Sequence, residues 1–63
     1  MTLDQAIELV QGWPEDRSVP RKLARAIEST DDTDRFWMRQ LVEVLMVAAA
    51  TEADLELIEK HFD

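Results

Sequence analysis

"FWMRQLVEVLMVAAA", residues 36–50, is apolar at twelve of its fifteen positions, and only Arg39, Gln40 and Glu43 interrupt it. Placed on a helical wheel at about 100° per residue, Trp37, Met38, Leu41, Val42, Val44, Leu45, Ala48 and Ala49 cover an arc broader than the stripe a surface helix needs. That arc is expected to pack against neighbouring helices. Arg39, Gln40 and Glu43 lie opposite it, and Phe36 and Val47 fall beside them on one ridge, with Met46 close by. These three apolar residues are surplus to an ordinary core. Either neighbours wrap the helix on all sides, or Phe36, Met46 and Val47, flanked by Arg39 and Glu43, form an interface with a second copy or a foreign protein. The second reading is preferred, because fully burying one Phe, Met or Val is worth roughly 1.5–3 kcal/mol. A domain whose total stability is commonly about 5–15 kcal/mol can hardly leave three such contributions unused.

The flanking sequence supplies the partners of this helix. Asp and Thr residues in "STDDTD" (29–34) can cap its start, and their acids suit its positive end, which predicts a helix over about 33–50. Upstream, Thr2 and Gln5 form a capping box for a helix over about 3–11 with Leu3, Ala6, Ile7 and Val10 on one face. Gly12, the only glycine, is expected to stop it. "WPEDRS" (13–18) reads as a loop, with Trp13 extended before Pro14. Pro20 suits the first turn of a helix over about 20–29, with Leu23, Ala24 and Ile27 inward and Arg21, Lys22 and Arg25 outward. Thr51 and Asp54 have capping spacing for a last helix over about 52–62, which would bury Leu55, Ile58 and Phe62. No segment alternates as a strand does. The expected fold is all-α, one domain over residues 1–63, a compact bundle of four short helices with the third central.

A chain of 63 residues buries only about 60% of the surface its unfolded form exposes. There is no cysteine, so neither disulfides nor thiolate metal sites can stabilise it. Oligomerisation or a bound partner is the remaining route, and a homodimer is expected. The first residues lack a basic signal-like segment, and the run at 36–50 is shorter than the roughly 20 residues that span a bilayer. A cytoplasmic protein without membrane attachment is expected.

The net charge of −7 is unevenly distributed: residues 1–30 carry four bases and five acids, and residues 31–63 three bases and nine acids. Glu52, Glu56, Glu59 and Asp63 recur at i, i+4, i+7 and i+11, which puts them on one ridge of the last helix. Such a row could meet a basic partner through complementary potential, in the manner of a DNA mimic occupying a nucleic-acid site. A solvated, solubilising face is its plainer reading. Arg17, Arg21, Lys22 and Arg25 form the opposing basic stripe, which could contact phosphates. The connection from Gly12 to Val19 is longer than a helix-turn-helix turn, and the net charge repels nucleic acid, so the stripe is expected to face acids such as Glu15, Asp16 and Glu28, or the acidic half of another copy.

No group offers catalysis. Ser18 and Ser29 sit at helix ends, and His61, the only imidazole, lies beside Phe62 and reads as a packing residue. Asp32, Asp34 and Glu43 match the first, third and twelfth positions of a calcium loop, but Trp37 stands where that loop needs glycine. No catalytic, cofactor or metal site is expected, and no enzyme.

The stretch "EDRSVPRKLARAIE" (15–28) is similar to a Val-Pro-Arg helix start in small archaeal helical proteins of unknown function, a short likeness that a first-turn proline explains physically. Size, acidity and helicity also resemble those of many phage-encoded inhibitors, anti-CRISPR proteins among them, a likeness of composition with no motif behind it. The expected function is a non-enzymatic protein-interaction module, a small acidic inhibitor or adaptor for a basic protein partner. The alternatives are a small DNA-binding regulator using the basic stripe and a structural oligomerisation module without independent activity.

Overall fold

The computed structural model of the protein describes residues 1–62. Four helices follow one another: α1 (Leu3–Val10), α2 (Val19–Ser29), α3 (Asp32–Ala48) and α4 (Glu52–Phe62). No strand occurs among the described residues.

Each start has the chemistry its sequence promised: a side-chain cap at α1, α3 and α4, and a first-turn proline at α2. At α1, Thr2 Oγ1 accepts from the Gln5 N–H (3.2 Å), and Gln5 Oε1 accepts from the Thr2 N–H (2.9 Å). At α3, Asp31 Oδ1 accepts from the Asp34 N–H at 2.9 Å. At α4, the Asp54 N–H donates to Thr51 Oγ1 (3.3 Å), while Asp54 Oδ2 accepts from the Thr51 and Ala50 N–H groups at 3.2 and 2.8 Å. These bonds satisfy N–H groups that the first turn of a helix leaves without intrahelical partners. Ser18, ahead of α2, makes no such bond, because its N–H and hydroxyl both turn back to Asp16 Oδ1 at 3.0 and 2.6 Å. Pro20 in the first turn reduces the number of donors needing a cap.

The helix ends are less conventional. Gly12 does not stop α1 through a left-handed conformation, since no glycine has positive φ. Instead the Gly12 and Trp13 N–H groups bond three residues back, to Leu9 and Val10 carbonyls, and the chain leaves through successive turns. The Trp13–Pro14 peptide is cis. At the end of α2, Arg35 Nε and Nη2 donate to the Ile27 and Thr30 carbonyls, both at 3.1 Å, so a side chain of α3 covers carbonyls that α2 leaves open.

The core is built from Ala6 and Val10 of α1, Trp13 of the connection, Val19, Leu23 and Ala26 of α2, Met38 and Leu45 of α3, and Ile58 of α4. The third helix touches all three others, as expected, and so does α2; α1 and α4 do not meet among the described residues. Several expected orientations are corrected. Trp13 lies in the expected loop and is buried there against the core. Ile7 and Leu55 are exposed, as are Trp37, Val44 and Ala48 of the expected packing arc. The neighbours therefore do not wrap α3 on all sides. The reason is one of placement: α1, α2 and α4 all pack toward the Met38–Leu45 side of α3, and no element is left to cover the side that carries Phe36, Trp37, Val44 and Val47.

Candidate protein interface

The wheel position of each α3 residue decides what it meets. Met38 and Leu45 are buried, with Leu41, Val42 and Ala49 half-buried around them, and this stripe faces α1, α2 and α4. On the opposite side Phe36 is 58% exposed, Trp37 54%, Val44 47% and Val47 87%. Trp37, Gln40, Val44 and Val47 are spaced three, four and three residues apart, the rhythm of a coiled-coil seam. Phe36 flanks that seam and meets Trp37 edge to face, with ring centroids 5.2 Å apart and planes at 84°. Quadrupoles favour this aromatic geometry, which holds the two rings as one unit on the surface.

The interface residues expected from the sequence divide between two places. Phe36 and Val47 lie on the outer seam. Arg39 and Met46 line a groove of about 430 Å³ between α2, α3 and α4, together with Ile27, His61 and Phe62, and Glu43 borders both that groove and the seam. Trp37 and Val44, expected from the wheel to pack against neighbouring helices, belong to the outer face. The signal that places them outside is the seam spacing running through Gln40, a polar residue at its midpoint.

The basic stripe is divided as well. The Arg17 guanidinium is paired with Asp54 at the start of α4 and lies 5.0 Å from the Trp13 ring centroid. Trp13 Nε1–H in turn donates to the Leu45 carbonyl at 2.9 Å. The Ala49 N–H bonds to Met46 O, so the indole supplies the Leu45 carbonyl with a donor near the end of α3. Trp13, Arg17 and Asp54 thus join the α1–α2 connection to α3 and α4. Asp54 is 5% exposed, and the Arg17 hydrogen bond, followed by that from the Ala50 N–H, holds its carboxyl below the usual aspartate range. Asp16 is also lowered, by the Ser18 hydroxyl and then the Ser18 N–H. Arg21, Lys22 and Arg25 remain exposed on α2.

On α4, Glu52, Glu56 and Glu59 are exposed; Asp63, the fourth member expected on that ridge, lies outside the described residues. Asp32, of the calcium-like spacing, pairs with Arg35 at 3.1 Å. Among the described residues no three His, Asp or Glu side chains converge as metal ligands, and no helix is long and apolar enough to cross a membrane.

Comparison with known proteins gives no match to a family model, a characterised sequence or a solved structure. Function has to be argued from the surface itself, since a helical fold alone implies none.

Proposed function

We propose that the protein is a non-enzymatic interaction module, a small acidic inhibitor or adaptor, that binds protein through the outer face of α3. One observation carries this reading: Phe36, Trp37, Val44 and Val47 lie together on one exposed side of a single helix. Scattered apolar residues on a surface are ordinary, but a contiguous patch marks contact with something else. Aromatic residues are also the type enriched at the centres of protein interfaces. The exposed Glu52, Glu56 and Glu59 on α4 add carboxylates suited to a basic partner, whose encounter they would accelerate.

A photo-crosslinking residue placed at Val47 tests the reading, with the same residue at Arg21 on α2 as control. An adduct from Val47 that is absent from Arg21 and disappears when Phe36→Glu is added supports the outer face as the binding surface. Equal labelling at the two positions, or none at Val47, overturns it.

A further inference from the structure

Resting on that reading, we infer that the outer α3 face receives a single amphipathic helix of a basic protein, its apolar side on Trp37, Val44 and Val47 and a lysine or arginine at Glu43. Size sets the first condition. With a buried aromatic side chain contributing about 150–250 Å², the exposed parts of Phe36, Trp37, Val44 and Val47 form a patch of roughly 400 Å². A standard interface takes about 800 Å² from each partner, so the patch is too small to seat a second folded domain by itself. One helix fits it. Trp37 and Val47 are ten positions apart, about 15 Å along the axis, and a helix with its side chains is about 10–12 Å across. About three turns of a single helix therefore cover the patch. The spacing of Trp37, Gln40, Val44 and Val47 by three, four and three residues also selects a helix, because that rhythm keeps a seam facing another helix along its length.

Charge sets the second condition. The bases of α3 are both turned elsewhere: Arg35 covers the end of α2, and Arg39 lines the groove toward α2 and α4. Glu43 borders the outer face with Gln40, Val44, Val47 and Ala48, and no base lines that stretch. Among the described residues the ion pairs within the chain are Arg17–Asp54 and Arg35–Asp32, so Glu43 keeps its charge free for a partner. The net charge of −7 draws a basic segment toward the molecule from a distance. A lysine or arginine on the flank of the docked helix then meets Glu43, and its long stem lies over the apolar seam. One polar residue of that helix opposite Gln40 fixes its register, as single polar residues do in coiled coils. A second copy of this chain meets neither condition, because it would set another acidic face without a base against Glu43.

The two tryptophans supply the readout, since Trp37 is 54% exposed on the face and Trp13 is 4% exposed in the core. Nitrogen-15-labelled protein is titrated with a synthetic helix of about four turns, leucine on one side and lysine on the other, and with a matched peptide carrying glutamate for lysine. The leucine–lysine peptide should move the Trp37 indole signal and the Gln40, Val44 and Val47 amides, and leave the Trp13 indole, bonded to the Leu45 carbonyl, in place. The glutamate peptide should bind at least about tenfold more weakly. Val47→Glu should weaken the lysine peptide at least about tenfold with Trp13 unmoved, and Glu43→Gln about two- to fivefold, the worth of an exposed ion pair. Shifts confined to Glu52, Glu56 and Glu59 overturn the inference, because charge alone would then hold the peptide on α4. Equal binding of the two peptides overturns the basic partner, and no binding up to about 1 mM overturns the helix. If concentrating the protein alone to about 1 mM moves the same signals, a second copy covers the face and the inference falls. The crosslinker at Val47 separates these failures from that of the binding module. An adduct there without peptide binding leaves the face a contact for a protein of other chemistry, and no adduct removes both.

Discussion

Asp54 does three things with one carboxylate. It closes the cap of α4, pairs with Arg17 on a distant turn, and thereby ties the α1–α2 connection to the second half of the chain. Its cap was legible in the sequence because capping is local, with Thr51 three residues away. Its pairing was not, because Arg17 lies 37 residues earlier and no spacing rule links them. The burial of Trp13 was illegible for the same reason: the flanking glycine and proline mark its loop, but the carbonyl it serves belongs to Leu45, 32 residues on. The lowered Asp54 value has a definite sign. A carboxyl held below its unfolded value of 3.8 contributes stability that is fully present above that pH and lost as pH falls through the folded value. Asp54→Asn should therefore lower the thermal midpoint at neutral pH, and the gap from wild type should close as pH falls below 3.8. A gap that is constant with pH would show that the Asp54 charge contributes nothing. Trp13→Phe keeps most of the buried ring but removes the donor to the Leu45 carbonyl. It should cost about 1–3 kcal/mol in urea unfolding, the penalty for an acceptor left buried without a partner; no loss would mean that water replaces the indole there.

The four helices were legible from caps and proline, and their bounds fall within about two residues of those read from the sequence, as is usual for helix ends. Which residues of α3 face inward was less legible. A wheel shows an apolar arc, but the part of it that becomes core depends on where shorter neighbours cross. Here the three neighbours of α3 bury Met38 and Leu45 and leave Trp37 and Val44 exposed. The residues of the candidate interface accordingly fall in two places: Phe36 and Val47 stand on the outer face, whereas Arg39 and Met46 border the groove toward α2 and α4. Val44 and Leu45, adjacent in sequence, make the contrast measurable. Leu45→Ala should destabilise by about 2–5 kcal/mol through the cavity it leaves. Val44→Ala in dilute protein should change stability by no more than about 0.5 kcal/mol, since alanine's helix propensity offsets the lost methyl groups. Comparable losses at the two positions would show that α3 is covered on its outer side even in a single copy.

Taken together, the charges set a further condition on any partner. The molecule extends 32 × 22 × 17 Å and carries a net charge of −7. At 0.01 M salt the screening length is about 30 Å, so every charge acts on the whole of a neighbouring copy; at 0.15 M it falls to about 8 Å. Two identical acidic chains repel one another, and salt weakens that repulsion. Any self-association through the apolar seam should therefore strengthen as sodium chloride rises from about 10 to 150 mM, measured as a fall in the dimer dissociation constant by sedimentation equilibrium. Binding of a basic protein to Glu52, Glu56 and Glu59 has the opposite sign, because salt screens attraction there. Neutralising those three to glutamine should tighten any dimer at low salt and abolish the salt-sensitive part of a basic partner's binding to α4. Dimerisation that weakens with added salt would mean that opposite charges, not the Trp37–Val47 seam, hold the two copies together, and would move the contact to the exposed Arg21, Lys22 and Arg25 of α2 against the acids of α4.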